Sequence, residues 1–196
     1  MILILTLTSS HCEGTGRGIE KLLVTGFNNV STEFAILDIG ELTKEEDYEV
    51  DQGWSWVVAE GSSIWVITED WSMAIVGGSV SRWMVGVDGE GLVLEEKLML
   101  GPGNTPTHLL VDKDDGHWSC LRANIGGGTW SVIEMAGDQL VKVSQTVSLD
   151  TEGCKEASKP HQTVVWGQFA YVVDMGCDVV WTFELGSGDI NMVQRN

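Results

Sequence analysis

The stretch WSCLRANIGGGTWSVIEM, residues Trp118 to Met135, decides the fold because a unit of this kind occurs four times along the chain. Each unit has an apolar strand, a polar residue near its end, a turn containing glycine and a second strand of alternating character. Successive units start about 42, 54 and 52 residues apart, which is typical of β-propeller blades. The other units are Leu22 to Ile39, Ile64 to Val85 and Ala170 to Leu185. The sequence therefore predicts an all-β fold, a β-propeller with about four blades.

The chain is strongly acidic. Its 196 residues include 11 Lys plus Arg and 29 Asp plus Glu, so the formal net charge is −18. Nucleic acid phosphates and anionic membrane surfaces repel such a charge, and we exclude both as main partners. The charge also counts against a phosphorylated substrate. An anionic ligand would need one of the few cations near recognisable motifs, which are Arg82, Arg122, Lys155 and Lys159.

Two further stretches resemble each other and are predicted to be outer strands that lead to the next blade. They are Asp88 to Gly101 and Gly137 to Leu149. The charged segment Glu41 to Glu49, ELTKEEDYE, is instead predicted to be a solvated connection, with a helical turn as the alternative. No segment carries the sustained apolar stripe of a helix.

The N-terminal residues differ from the rest of the chain. Residues 1–20 lack the repeat pattern and are predicted to be a leader or a loose arm, whereas residues 21–196 are assigned to a partial propeller domain. The apolar run Ile2 to Thr8 is short for a signal peptide and no Lys or Arg precedes it, so a cytoplasmic location is expected, with secretion as the alternative. The four cysteines show no metal-binding spacing, which favours buried thiols over a disulfide.

Two segments carry a family resemblance. Gly101 to Val132 has a Gly/Pro stretch, a Pro-x-His, an Asp-containing turn, a strand ending in Ala-Asn and a Gly-rich turn. Lys159 to Leu185 has a Pro-His, a Val-x-Asp and a Gly-x-Asp turn. Both resemble blades of the seven-bladed lactonase propellers, a family that includes 6-phosphogluconolactonases, similar sugar lactonases and fungal enzymes that cyclise carboxymuconate. The resemblance implies lactone chemistry and a small-molecule lactone or organic acid as partner.

This chain departs from the family pattern in two respects. Many relatives have His-Pro-His where this sequence has Lys159-Pro160-His161. Relatives also have seven blades, and in the cyclising enzymes a carboxylate and arginines from later blades accompany the histidine that His161 matches. The resemblance thus covers the N-terminal half of a propeller. We expect the open sheet edges of such a half to promote self-association, or the sequence to be an incomplete gene product, and we favour incompleteness.

His161 is the candidate catalytic base. Imidazole can take up or release a proton near neutral pH, as both opening and closing a lactone require. Because Pro160 orders the backbone ahead of the innermost strand of a blade, His161 is expected at the rim of the central channel, where propellers bind ligands. The alternative is a histidine that bonds to the backbone of a neighbouring blade.

Five further residues are candidate substrate contacts. His108 stands in Pro-x-His at what we take to be the equivalent place one blade earlier, although a structural bond between blades is favoured for it. Asn124 and Asp174 fall at corresponding strand ends, where structural capping is the favoured role. Arg122 lies on the same strand face as Asn124 and, like Lys159, is suited to an acidic group of a substrate. A pairing of Arg122 with an acidic neighbour in the protein explains it equally well.

No cofactor or metal is expected. The acidic turn DKDDG, Asp112 to Gly116, fails the EF-hand spacing and is interpreted as a hairpin turn. The sequence thus predicts a hydrolase that opens a sugar-acid lactone, similar to 6-phosphogluconolactonases. The alternatives are a cyclase acting on a muconate-like diacid and a non-catalytic propeller that serves as an interaction scaffold.

Overall fold

The computed structural model describes most of the chain. The backbone is described for residues 2–8, 20–26, 32–38, 43–50, 54–60, 63–69, 77–85, 92–101, 105–114, 117–137, 139–149, 151–186 and 190–195. Side chains are described within these ranges from Trp54 onward, apart from positions 85, 112–114, 117–122, 190 and 194.

Sixteen strands in these ranges form four sheets of four strands each, which we call blades 1 to 4. Blade 1 contains β1 (Ile2–Thr8), β2 (Glu20–Gly26), β3 (Thr32–Asp38) and β4 (Thr43–Val50). Blade 2 contains β5 (Trp54–Glu60), β6 (Ser63–Thr68), β7 (Ser79–Val85) and β8 (Leu92–Met99). Blade 3 contains β9 (Pro106–Asp114), β10 (His117–Asn124), β11 (Thr129–Ala136) and β12 (Gln139–Ser148). Blade 4 contains β13 (Pro160–Trp166), β14 (Phe169–Asp174), β15 (Val179–Leu185) and β16 (Ile190–Arg195).

Within every blade each strand pairs antiparallel with the next strand along the chain. The four repeated units of the sequence are the second and third strands of the four blades, for example β10 and β11. The two segments predicted as outer strands contain β8 and β12, each the fourth strand of its blade. The prediction of an all-β propeller with about four blades is confirmed.

Successive blades lie side by side through their first strands. β1 contacts β5, β5 contacts β9, and β9 contacts β13. The fourth strands β8 and β12 are also neighbours. The first strands therefore form the inner side of an arc, and the ends of these strands are where a ligand in the propeller axis would be met.

Aromatic and branched apolar side chains fill the spaces between blades. Trp65 and Ile67 of blade 2 pack with Leu109 and Ile133 of blade 3. Between blades 3 and 4, Trp130 stacks on Phe183 with ring centroids 4.4 Å apart. Burying one such aromatic ring removes roughly 200 Å² from water, worth on the order of 5 kcal/mol before the entropy of ordering is subtracted.

Period-two alternation explains how one blade serves both interfaces. In β11, Ile133 belongs to the cluster shared with blade 2, while Trp130 and its partly buried neighbour Val132 belong to the cluster shared with blade 4. Odd and even positions of a strand face opposite sides of the sheet. A blade between two others consequently has apolar residues at both sets of positions.

Two segments near the N-terminus differ from expectation. Residues 2–8, predicted to lie in a leader or loose arm, form β1 and pair with β2 from Ile2 opposite Gly26 to Thr8 opposite Glu20. The charged segment expected as a connection forms most of β4, which pairs with β3. The segment was predicted as a connection because it is charged. The fourth strand of a blade lies at the sheet edge, however, where charged side chains are tolerated.

The structure also contains a disulfide. Cys154, in the connection between β12 and β13, is bonded to Cys177 in the β14–β15 turn, with an S–S distance of 2.13 Å and a sequence separation of 23 residues. The expectation of thiols is wrong for this pair. Because these cysteines meet only when the connection folds over the turn, their spacing gave no signal.

The described part of the chain contains no helix with the length and apolarity needed to cross a bilayer.

Candidate active site

The first strands of blades 2, 3 and 4 share a β-bulge near their N-terminal ends. In blade 4, Pro160 pairs with Asp174 and Gln162 pairs with Val173, so His161 is an extra residue without a pairing partner. The corresponding extra residues are Ser55 in blade 2 and Thr107 in blade 3.

This register corrects one expectation from the sequence. His161 is structurally equivalent to Thr107, and not to His108 as the Pro-x-His pattern indicated. The residue equivalent to His108 is Gln162 in blade 4 and Trp56 in blade 2. The two histidines therefore occupy successive positions of the bulge, whose side chains have different surroundings.

The bulge hydroxyls tie each blade to the next one. Ser55 Oγ lies within donating distance of two carbonyl oxygens, that of Ile67 in its own blade at 3.3 Å and that of Pro106 in blade 3 at 3.4 Å. Thr107 Oγ1 donates to the carbonyl oxygen of Pro160 at 3.3 Å. Thr107 Oγ1 also lies 3.3 Å from the carbonyl oxygen of His161. The backbone that carries His161 is thus positioned by its own blade and by blade 3.

The His161 side chain is exposed at the start of β13, on the inner side of the arc. An exposed imidazole on a fixed backbone can reach a bound water molecule or a substrate oxygen, as general acid–base chemistry requires. Its structural surroundings therefore agree with the candidate role, which stays a prediction.

His108 is buried among three blades, with 4% of its surface exposed. Its ring lies against Trp56 of blade 2, with centroids 4.4 Å apart, and its Nδ1 accepts a hydrogen bond from the backbone N–H of Thr163 in blade 4 at 3.3 Å. Burial, together with the nearby charge of His161, lowers the pKa of His108 from 6.5 to about 4. The ring is neutral at physiological pH and links neighbouring blades, which agrees with the structural role favoured from the sequence, and a substrate contact of His108 stays a prediction.

Asn124, the last residue of β10, links two segments at one end of blade 3. It is fully buried; its Oδ1 accepts the backbone N–H of Thr105 at 2.7 Å, and its Nδ2 donates to Thr129 Oγ1 at 2.8 Å. These bonds join the segment before β9 to the β10–β11 turn. A substrate contact for Asn124 stays a prediction, and the observed bonds favour capping.

Asp174 is the equivalent residue of blade 4, with 1% of its surface exposed. Its carboxylate accepts from the hydroxyl of Ser158 and from the indole Nε1 of Trp181 at 3.0 Å. It also accepts three backbone N–H groups, at 2.7 to 3.1 Å, from Lys159, Gly176 and Cys177. Burial acts to raise the pKa of this carboxyl, but the bonds from Ser158, Lys159, Trp181 and Cys177 outweigh burial and lower the pKa.

The turn beside Asp174 is closely packed against the connection that precedes β13. A Cβ atom at Gly176 would lie 1.8 Å from the carbonyl oxygen of Ala157, so only glycine fits. The Cys154–Cys177 disulfide closes the same junction. Asp174 therefore lies at the centre of a closely packed junction and pairs with Pro160, the residue before His161. Capping describes its bonds better than substrate binding.

The two candidate cations are placed differently. The Lys159 ammonium pairs with the carboxylate of Glu156, and the side chains are 42% and 63% exposed. This hydrogen bond and the charge of Lys159 lower the pKa of Glu156. Arg122 lies in β10 between Leu109 and Ser131, and its side chain is outside the described residues. Substrate binding by either residue stays a prediction.

The structure brings the two histidines together at the N-terminal ends of β9 and β13. Asp174 and Lys159 lie next to Pro160, the residue before His161. Sequence reasoning missed three residues that hold this arrangement, namely Trp56, Thr107 and Thr163. Thr107 could have been found by aligning the bulges of the blades, but Trp56 and Thr163 give no signal outside the folded interface.

Among the described residues, no group of three or more His, Cys, Asp or Glu is placed to hold a metal ion. Residues 112–114 of the acidic segment lie in β9, which pairs with β10, whereas residues 115 and 116, where the turn was predicted, lie outside the described residues.

Solved structures with the same architecture include three lactonase-related proteins. The periplasmic gluconolactonase PpgL of Pseudomonas aeruginosa matches 90% of this chain with 53% of its own, at a TM-score of 0.71 and 17% identity. A proposed 6-phosphogluconolactonase of Bacteroides uniformis ATCC 8492 has a TM-score of 0.66 at 16% identity, covering 89% of this chain and 53% of its own. One of Bacteroides fragilis NCTC 9343 has a TM-score of 0.64 at 14% identity, covering 90% and 53%. At these identities the likeness concerns the fold.

The chain spans about half the length of these structures. A search of curated proteins gave no match. The family model described as lactonase, 7-bladed beta-propeller matches residues 27–195, which is most of the sequence. With four antiparallel blades around a shared inner edge, the chain belongs to the seven-bladed lactonase propeller family.

Proposed function

We propose that this protein opens an intramolecular ester and that His161 is the general base. The observation that supports this most directly is the exposed imidazole at the bulge of β13, in a chain of the lactonase family. The bonds from Thr107 to Pro160 and from Lys159 to Asp174 hold the backbone immediately before this residue, and Thr107 Oγ1 also lies 3.3 Å from the carbonyl oxygen of His161. A base held in this way needs little reorganisation to meet its substrate.

In the proposed reaction, His161 takes a proton from water while the water oxygen bonds to the lactone carbonyl carbon. The tetrahedral intermediate then collapses, the bond between that carbon and the ring oxygen breaks, and the ring oxygen receives the proton from the imidazolium. The sum is one lactone plus one water to one hydroxy acid. His161 returns to its starting state.

The proposed substrate is a sugar-acid lactone. The matched structures include a gluconolactonase and two proposed 6-phosphogluconolactonases, which supports this class. The net charge of −18 and the pairing of Lys159 with Glu156 favour an uncharged lactone over a phosphorylated one.

Replacement of His161 tests this proposal. In His161→Ala the rate of D-glucono-1,5-lactone hydrolysis, with the spontaneous rate subtracted, is expected to fall by about 100-fold or more. The matched control is Gln168→Ala, since Gln168 is exposed in the turn at the opposite end of β13. Equal rates for His161→Ala and the unaltered protein would exclude His161 as the base. A muconate-type cyclisation is distinguished by mass balance, because hydrolysis adds a water and cyclisation does not.

A non-catalytic scaffold is the second candidate, and the bulge register favours it. Ser55 and Thr107, at the positions equivalent to His161, bond to the backbone of the following blade. A His161 with that structural role would leave no lactone turnover in the unaltered, folded protein. The scaffold then becomes the better proposal.

The disulfide bears on location. We propose export to an oxidising compartment, the alternative that the sequence left open, because disulfides persist there and are rare in the cytosol. Counting free thiols in denatured protein taken from its source under alkylating conditions tests this. Cys154 and Cys177 both found alkylated would favour a cytoplasmic location.

A further inference from the structure

The hydrogen bond from Thr163 determines which nitrogen of His108 carries a proton. Nδ1 accepts the Thr163 N–H at 3.3 Å and so has its lone pair directed at the backbone. A neutral imidazole has one donor and one acceptor nitrogen. The proton of His108 is therefore on Nε2.

The hydrogen bond seen for His108 in the described residues is at Nδ1 and leaves the Nε2–H for another acceptor. In the described residues Thr163 bonds to the ring at Nδ1, and the ring of Trp56 lies against it at an interplanar angle of 47°. Nε2 is not among the buried polar atoms that lack a partner in this part of the chain. This N–H is therefore available to an acceptor at the N-terminal end of β9, and His161 is close enough for its charge to lower the pKa of His108.

The surroundings keep this donor neutral and fixed in place. Burial and the charge of His161 lower the pKa of His108 to about 4, so the ring carries no charge at neutral pH. Trp56, at 4.4 Å, and Thr163 determine the plane of the ring. A fixed, neutral donor can stabilise a developing negative charge without giving up its proton.

We infer that His108 donates its Nε2–H to the carbonyl oxygen of the lactone, an inference that rests on the proposed function. As water attacks under general-base catalysis by His161, negative charge develops on this oxygen, and the His108 bond strengthens. No proton is transferred from His108. When the ring C–O bond breaks, the carbonyl re-forms and the charge on the oxygen is lost. The two histidines thus have different roles, one as a base and one as an oxyanion donor.

Two substitutions separate this role from packing. His108→Phe keeps an aromatic ring against Trp56 but donates no hydrogen bond. His108→Gln can accept the Thr163 N–H through its amide oxygen while its amide nitrogen donates. We expect kcat for D-glucono-1,5-lactone to fall by about 100-fold or more in the Phe variant with KM little changed, and to recover most of this loss in the Gln variant.

Each outcome is decisive. An active unaltered protein with unchanged kcat in a folded Phe variant overturns the donor role and leaves the proposed function standing. Absence of turnover in the unaltered protein overturns both. A third measurement is independent of turnover, since long-range ¹⁵N–¹H NMR at pH 7 reports the histidine tautomer. A His108 protonated at Nδ1 excludes the donor, whereas protonation at Nε2 supports it.

Discussion

Acidification to pH 5 is predicted to destabilise this protein through His108. The pKa of His108 is about 4 in the folded protein and 6.5 as its ordinary value. Between these values the unfolded chain binds a proton at this residue that the folded chain does not, so stability rises with pH across this window. The contribution is complete above pH 6.5 and is lost as the pH falls toward 4.

The size of the effect follows from the two pKa values. At pH 5 the unfolded ring is almost fully protonated while the folded ring is mostly neutral, and the linkage relation gives a loss of about 2 kcal/mol relative to pH 7.5. The loss of about 2 kcal/mol includes the effect of His161, because the charge of His161 contributes to the lowered pKa of His108. With a urea m-value of about 2 kcal/mol/M, the midpoint moves by about 1 M.

Urea unfolding at pH 7.5 and pH 5, followed by tryptophan fluorescence, measures the effect. His108→Gln is the matched variant, since it retains an acceptor for Thr163 but does not titrate. The loss of unfolding free energy between the two pH values is expected to be about 2 kcal/mol smaller in this variant. Equal losses in both proteins would refute a buried, neutral His108.

Three other substitutions test the blade junctions. Asp174→Asn leaves several buried donors poorly paired and is expected to cost about 2–4 kcal/mol in urea unfolding at pH 7, where the carboxylate is ionised. Because the folded pKa of Asp174 is depressed, its contribution is present above the ordinary value of 3.8 and is lost as the pH falls below it. Replacing Cys154 and Cys177 with serine removes a crosslink across 23 residues and is expected to cost about 3 kcal/mol, seen as a lower Tm. Trp130→Phe removes the Nε1–H bond to Thr163 of blade 4, 3.1 Å long, and is expected to cost about 1–3 kcal/mol by chemical unfolding.

The control substitution lies in the β14–β15 turn, which follows Asp174 and contains Cys177. Asp178→Asn changes an exposed residue with a φ of 57°, which Asn adopts readily, and stability should change by less than about 0.5 kcal/mol. An Asp174→Asn protein as stable as this control contradicts the capping role. A reductant that leaves the Tm unchanged contradicts the stabilising role of the disulfide. If Trp130→Phe costs no more than Asp178→Asn, the indole bond across the interface has no net effect.

The repeats made the fold predictable, because hairpins with apolar strands and Gly-containing turns depend on local sequence. The likeness between two connecting stretches also predicted the outer strands β8 and β12. Strand β4 was missed because its edge position permits Thr43–Val50 to be almost entirely polar. Strand β1 was missed because it precedes the first repeat and pairs with β2 over a long connection.

The site was predicted in outline from the residues that precede the inner strands, but its geometry was not. A single bulge residue changes which position of one blade matches which position of the next, so Pro-x-His and Pro-His looked equivalent and are not. The burial of His108 depends on Trp56 and Thr163, which lie 52 and 55 residues away in sequence. The disulfide likewise depends on how the connection before β13 folds.

The bulge hydroxyls have a consequence for synthesis on the ribosome. Ser55 and Thr107 each bond a residue that follows 51 or 53 positions later, in the first strand of the succeeding blade. As a nascent chain emerges from its N-terminus, the first hairpins of each blade find the preceding blade already available as a template. Blades can then dock in the order of translation. The apolar face that a blade turns toward the next one stays exposed only until about fifty more residues have been synthesised.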